Sequence, residues 1–265
     1  MKKTKKSASL MILLILVLTT INFSIDAKSD EINNTNKNII NINSDDVIFF
    51  EDFDDYPDLT HIHNIFTSFL VRDGVCELTL YRTFRYPYFN VQLGNSPQYK
   101  FNNMTVKARI INKHDVPFKK LKGSVGWGLC NQNLKSFEYE FVWFIYQQGS
   151  PFYPWNGLWV WSRNSSGEFS AKKIEGYDIF EWHVYDINWT EEGYDFYIDG
   201  EHVAQITKGV TQKEMGIEIW NDNTVWYSPK RNWSRIPIMK WGLIPVFHKV
   251  KVIKKLDIDY VKITE

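Results

Sequence analysis

Residues 182–203 read WHVYDINWTEEGYDFYIDGEHV, and their alternation decides the fold. Val184, Asp186 and Asn188 alternate with Tyr185, Ile187 and Trp189, the period of two that a half-buried strand requires. Glu191-Glu192-Gly193 interrupts with turn residues, and Tyr194–Ile198 resumes an aromatic-rich strand. Asp199-Gly200 then supplies the positive φ angles of a tight two-residue hairpin. Two strands and a hairpin predict antiparallel sheet.

The same grammar runs outward from this stretch. Val47–Phe50, Phe66–Val71, Val75–Tyr81, Phe89–Leu93, Met104–Ile111, Gly126–Leu129, Phe137–Tyr146, Leu158–Trp161, Gly216–Trp220 and Leu256–Ile263 all read as short strands between turn signals. Arg72-Asp73-Gly74 is a second hairpin, and Gln212–Met215 reads as one helical turn. Asn223–Lys255, with Trp226, Trp233 and Trp241, reads as a long loop excursion. A dozen short strands with hairpin turns predict an all-β, antiparallel two-sheet β-sandwich or jelly roll.

The N-terminus has a different character. Lys2, Lys3, Lys5 and Lys6 precede an apolar run from Leu10 to Leu18, about half of the ~20 residues a spanning helix needs. Residues 1–27 are therefore expected to be a cleaved export signal, with an uncleaved or lipid-linked anchor as the alternative. Residues 28–45, Asn- and Lys-rich without an aromatic residue, read as a disordered tether. One domain is expected over 46–265. Formal net charge is zero and no basic stripe is visible, which argues against a nucleic-acid partner. No stable membrane insertion is expected, and the protein reads as a secreted monomer. Eleven Trp in a chain that is 16% aromatic suit a sandwich core and a sugar cleft equally. The two cysteines, Cys76 and Cys130, sit in strand-like segments and read either as a disulfide or as two buried thiols.

Four segments, in order, carry a family resemblance: Phe49-Phe50-Glu51-Asp52-Phe53-Asp54; Arg72-Asp73-Gly74-Val75; residues 182–203 with His183, Tyr185, Trp189, Tyr197, Asp199 and Gly200; and Ile217–Asn221 with Ile258–Lys262. Together they resemble glycoside hydrolase family 16, the laminarinases and lichenanases. The resemblance implies a concanavalin A-like jelly roll with a polysaccharide or glycan in its cleft. Family members carry Glu-x-Asp-x-Glu, or a bulged variant, on one strand as nucleophile, tuning Asp and acid/base. The matching strand here is FEYEFVW, residues 137–143, which puts Glu138 on the nucleophile, Glu140 on the tuning position, and Val142 or Trp143 where the acid belongs.

Retaining hydrolysis needs two carboxyls about 5–5.5 Å apart. Residues two apart on a strand share a face at roughly 6.7 Å, so Glu138 and Glu140 are the candidate catalytic pair. If they face the cleft, Trp143 points into the core.

The resemblance also implies sugar contacts at Trp220, at Gln92, and at Glu218, which stands where lichenanases have an amide; Trp159 is a further stacking candidate, with Trp143, Tyr146 and Trp161 behind it. It further implies a structural Ca²⁺ held by the carbonyls of Asp52 and Gly74 and the side chain of Asp259, hard oxygen ligands of the kind calcium favours. His61 and His63 read as solvated polar surface, and His183 as a hydrogen-bonded structural residue. The expected function is secreted polysaccharide binding with weak or absent hydrolysis. A retaining endo-β-glucanase and a surface scaffold with a covered cleft are the two alternatives.

Overall fold

The computed structural model describes residues 46–82, 88–112, 120–133, 138–227 and 244–265, which fall in one compact unit, Asn43–Glu265. The expectations for residues 1–45 lie outside the described residues. The regular elements described are seventeen strands. In order they are β1 (Val47–Glu51), β2 (Thr60–His63), β3 (Thr67–Arg72), β4 (Val75–Leu80), β5 (Asn90–Gly94), β6 (Asn103–Asn112) and β7 (Gly123–Asn133). There follow β8 (Glu138–Gln148), β9 (Gly157–Arg163), β10 (Phe169–Ile174), β11 (His183–Trp189), β12 (Tyr194–Ile198) and β13 (Glu201–Ile206). The chain closes with β14 (Gly216–Asp222), β15 (Thr224–Tyr227), β16 (Ile244–Phe247) and β17 (Lys254–Thr264).

Fifteen of them form two large antiparallel sheets, and β15 and β16 pair as a separate ribbon. One runs β13-β12-β11-β6-β17-β4-β3, with β1 also on β17; the other runs β10-β9-β8-β7-β14-β5-β2. The strands of residues 182–203 pair as their alternation requires, Tyr185 opposite Ile198 and Trp189 opposite Tyr194. Asp199 and Gly200 adopt φ of 52° and 80°, the left-handed pair of a two-residue hairpin. Tyr185, Ile187 and Trp189 face the interior and are buried. The expected helical turn is absent: Met215 bridges to Tyr99 in extended conformation. The Asn223–Lys255 excursion contains the ribbon β15–β16 and runs into the start of β17 at Lys254, and its residues 228–243 lie outside the described residues.

The core fills the space between the sheets. Leu78, Val106, Ala108, Leu256, Ile258 and Val261 of the first sheet meet Leu93, Trp127, Val142, Phe144, Val160 and Ile219 of the second. Burying each large apolar side chain contributes about 1.5–3 kcal/mol, so this layer is the main source of stability. Trp127 packs on Tyr185 across it with ring centroids 4.6 Å apart. Polar ties join the layers too. Asn221 Nδ2 donates to the Leu78 and Lys254 carbonyls at 2.8 and 3.0 Å.

Lys254 is itself fully buried, and its Nζ donates to the carbonyls of Ser124 and Asp222, each at 2.9 Å. Cys76 faces this core, whereas Cys130 joins a separate cluster on the outer side of the second sheet. Both are buried free thiols, which settles the choice left open by the sequence.

Candidate functional site

The outer face of the seven-stranded sheet is a grid set by strand register. One row is Gln92–Trp220–Gly126–Ile145–Trp159, reading β5, β14, β7, β8, β9. The next is Gly94–Glu218–Gly128–Trp143–Trp161. On the other side of the first row lies Asn90–Asp222–Ser124–Gln147. β7 contributes only small residues to these rows, and there is a steric reason. A Cβ on Gly126 would lie 2.2 Å from Trp220 Cη2, and one on Gly128 would lie 2.1 Å from the Val142 carbonyl. The glycines leave room for the large rings of neighbouring strands to lie down over β7. Trp220 and Trp143 meet edge to face at 4.8 Å, and Trp143 stacks on Phe141 at 3.7 Å. Trp155, Trp159, Trp161 and Phe169 form a second aromatic group toward β10.

Polar groups converge beside Trp220. Gln92 Nε2 donates to Glu218 Oε1 at 3.1 Å, and the Tyr139 hydroxyl donates to both Glu218 oxygens at 2.9 and 3.0 Å. Trp220 Nε1 donates to Ser124 Oγ at 2.9 Å, and that hydroxyl donates to Asp222 Oδ1 at 2.7 Å. Ser124 and Thr224 main-chain N–H groups also reach Asp222 Oδ1. Burial pushes the Asp222 carboxyl well above its ordinary range, and the nearby Lys254 ammonium restrains the rise. Burial likewise pulls Lys254 down, against the pull of Asp222.

Of the residues the sequence nominates for sugar contact, Gln92, Glu218 and Trp220 come together in one patch. Trp159 shares the row of Trp220 but lies three strands away. Trp161 also lies on this face, but Tyr146 points into the core. Tyr139 is not among the nominated residues, although a Tyr on the outward register of β8 is what delivers a hydroxyl to Glu218. No local signal marks it, because Tyr139 and Glu218 are 79 positions apart and share no pattern.

Of the candidate catalytic pair, only the Glu140 side chain is described, and it lies on the inward side of β8. Val142 and Phe144 face the inter-sheet core, while Phe141, Trp143 and Ile145 face outward, so Glu140 shares the inward parity. Glu140 is 2% exposed, takes a salt bridge from Lys213 Nζ at 2.8 Å, and accepts the Thr211 hydroxyl. It anchors the loop before β14 and does not face the aromatic grid. Glu138 opens β8 opposite Asn133, and its side chain lies outside those described. On a strand, neighbouring positions face opposite sides, so the same register that turns Phe141 and Trp143 outward turns Glu140 inward.

Asp259, the one anionic ligand of the implied calcium set, is paired with Lys107 Nζ at 2.7 Å. Asp52 uses Oδ1 as a turn acceptor for the Asp54 N–H, and Gly74 serves the β3–β4 hairpin at φ 71°. His183 is held between Asp199 Oδ2 at 2.6 Å and the Asp178 carbonyl at 3.0 Å, a structural role. His61 stacks on Phe69 at 4.4 Å and is half-buried at the sandwich edge, where simple solvation was expected.

No family model matches the chain, and no curated protein does. Solved structures do. A protein of the human gut microbiota, described with endo-acting O-glycanases that initiate mucin breakdown, aligns at TM-score 0.54 and 15% identity over 82% of this chain and 98% of its own. The κ-carrageenase of Pseudoalteromonas carrageenovora aligns at TM-score 0.55 and 11% identity over 81% and 92%. An immunostimulatory antigen and pseudo β-1,3-glucanase of Mycobacterium tuberculosis aligns at TM-score 0.54 and 11% identity over 82% and 98%. At such identities the likeness establishes the fold, the concanavalin A-like jelly roll seen in family 16 glucanases.

Proposed function

We propose that the protein is an exported polysaccharide-binding protein. Its binding surface is the outer face of the seven-stranded sheet around Gln92, Glu218, Trp220 and Tyr139, and it lacks retaining hydrolysis. The observation that carries this reading is the register of β8, whose outward positions are Tyr139, Phe141, Trp143 and Ile145. None is a carboxylate. The carboxylates on this face among the described residues, Glu218 and Asp222, sit four apart on β14, a Cα separation of roughly 13 Å at the usual rise per residue. Retaining catalysis needs carboxyls about 5–5.5 Å apart, and inverting catalysis about 6.5–9.5 Å. Asp222 is also committed to Ser124 and Thr224. What remains is a surface of flat rings, an amide, a phenol and a carboxylate, groups that stack on pyranose faces and bond to hydroxyls.

One observation favours a second reading, a scaffold whose outer face is closed. Trp220 is 5% exposed, Trp143 2% and Trp161 0%, low values for rings that stack on a polymer. A panel of β-1,3-glucan, mixed-linkage β-glucan, κ-carrageenan and mucin glycans separates the readings. Retention of a glycan without new reducing ends, weakened by Glu218→Gln and Trp159→Ala, is the expected result. Release of reducing ends overturns the loss of hydrolysis, and retention of no glycan favours the closed scaffold.

A further inference from the structure

The edge of the other sheet, which no described strand covers, carries a second surface. β3 is its terminal strand, joined to β4 by the two-residue turn Asp73-Gly74 at φ 54° and 71°, with Arg72 opposite Val75. In such a hairpin the closing pair exchanges both main-chain hydrogen bonds, and bonded and non-bonded pairs alternate from there. Arg72, Leu70 and Ser68 therefore direct their main-chain groups toward β4, and Phe69 and Val71 direct theirs to the open edge. Two bonds fix this phase. Tyr81 N–H donates to the Phe66 carbonyl across the hairpin at 2.8 Å, and Thr67 N–H turns the other way to Asn64 at 3.1 Å.

This edge is accessible, with Leu70 45% and Tyr56 73% exposed. A depression of about 380 Å³ follows it, floored by Phe69, Leu70 and Val71 and walled by Asp54, Asp55 and Tyr56. Tyr56 meets Phe69 edge-on at 6.3 Å. Natural edges are guarded by Pro, inward or central Lys, or bulges, but β3 reads TSFLVR and pairs with β4 without a register shift. The rim has one sign of charge. From Asp46 to Val71 the chain has six acidic residues and no Lys or Arg, and Arg72 is paired with Asp73 at 3.4 Å.

We propose that this edge docks an extended segment of another protein that carries Lys or Arg at alternate positions, added to β3 as an antiparallel strand. Main-chain bonds to Phe69 and Val71 supply the pairing, the apolar floor takes the small side chains, and Asp54 and Asp55 receive the cations. A fluorescein-labelled peptide alternating Lys and Val, its Glu–Val counterpart, and a Lys–Val peptide with N-methylated valines test this by anisotropy on the full chain. The Lys–Val peptide is expected to saturate, and to bind about tenfold more weakly to Asp54→Asn/Asp55→Asn and at high salt. The Glu–Val and N-methylated peptides are expected not to bind. Equal binding of the Lys–Val and Glu–Val peptides, or of the N-methylated peptide, overturns the proposal. So does a concentration-dependent dimer in sedimentation velocity that Leu70→Lys abolishes, since the edge would then serve a second copy of this chain.

Discussion

Replacing Lys254 by Met probes the junction between the two sheets. Lys254 is 0% exposed and Asp222 1% exposed, and the ammonium spends its bonds on two carbonyls rather than on the carboxylate. Removing it leaves the Ser124 and Asp222 carbonyls short of a donor and the Asp222 charge buried without its counter-charge. Breaking a buried charge pair from one side costs about 3–5 kcal/mol. Against a total stability of about 5–15 kcal/mol this is a large fraction. Asp222→Asn keeps an acceptor for Ser124 and Thr224 but strands Lys254, at a similar cost. In Asp222→Asn/Lys254→Met no charge is left buried, so the double loss is expected to fall short of the sum by about 1–3 kcal/mol. Urea unfolding followed by Trp fluorescence at pH 7 measures all three.

A pH arm sharpens the test. Burial raises the folded Asp222 pKa above its ordinary value of 3.8, so the folded state takes up the proton more readily than the unfolded one. Stability from this group is fully present below 3.8 and is lost as pH rises through the folded value. Without Lys254 the pKa rises further, so the Lys254→Met penalty is expected to shrink between pH 7 and pH 5. Additivity of the two single variants within about 0.5 kcal/mol, with a penalty independent of pH, would refute the coupling.

Three further outcomes are expected. Gly126→Ala forces a methyl within 2.2 Å of Trp220 and 2.8 Å of the Phe144 carbonyl, and is expected to cost about 1–3 kcal/mol and to alter the near-ultraviolet circular dichroism of the aromatic grid. Glu140→Gln removes the charge that Lys213 meets, and is expected to lower stability by about 1–3 kcal/mol while leaving glycan retention unchanged; a selective loss of retention would put Glu140 at the binding face after all. Cys76 and Cys130 are expected to resist a thiol reagent until urea unfolds the chain, since both are buried and burial pushes the Cys76 thiol up; rapid labelling of the native protein contradicts their placement.

The strand alternation of residues 182–203 and the two Asp-Gly hairpins were legible because both are local. A period of two and a turn needing positive φ are written in neighbouring residues, and they sufficed for the all-β sandwich. Gln92, Glu218 and Trp220 were nominated through the resemblance and do share a patch. The face of β8 was not legible. Its run from Phe141 to Tyr146, FVWFIY, is apolar at every position, so alternation gives no preference for either side. Only the partners decide. Val142 and Phe144 find the inter-sheet core, and Trp143 finds the hollow over Gly126 and Gly128 beside Trp220, which turns Glu140 inward to Lys213. Local pattern determined that this chain makes a sandwich; which residues look outward from it was decided by packing between strands far apart in sequence.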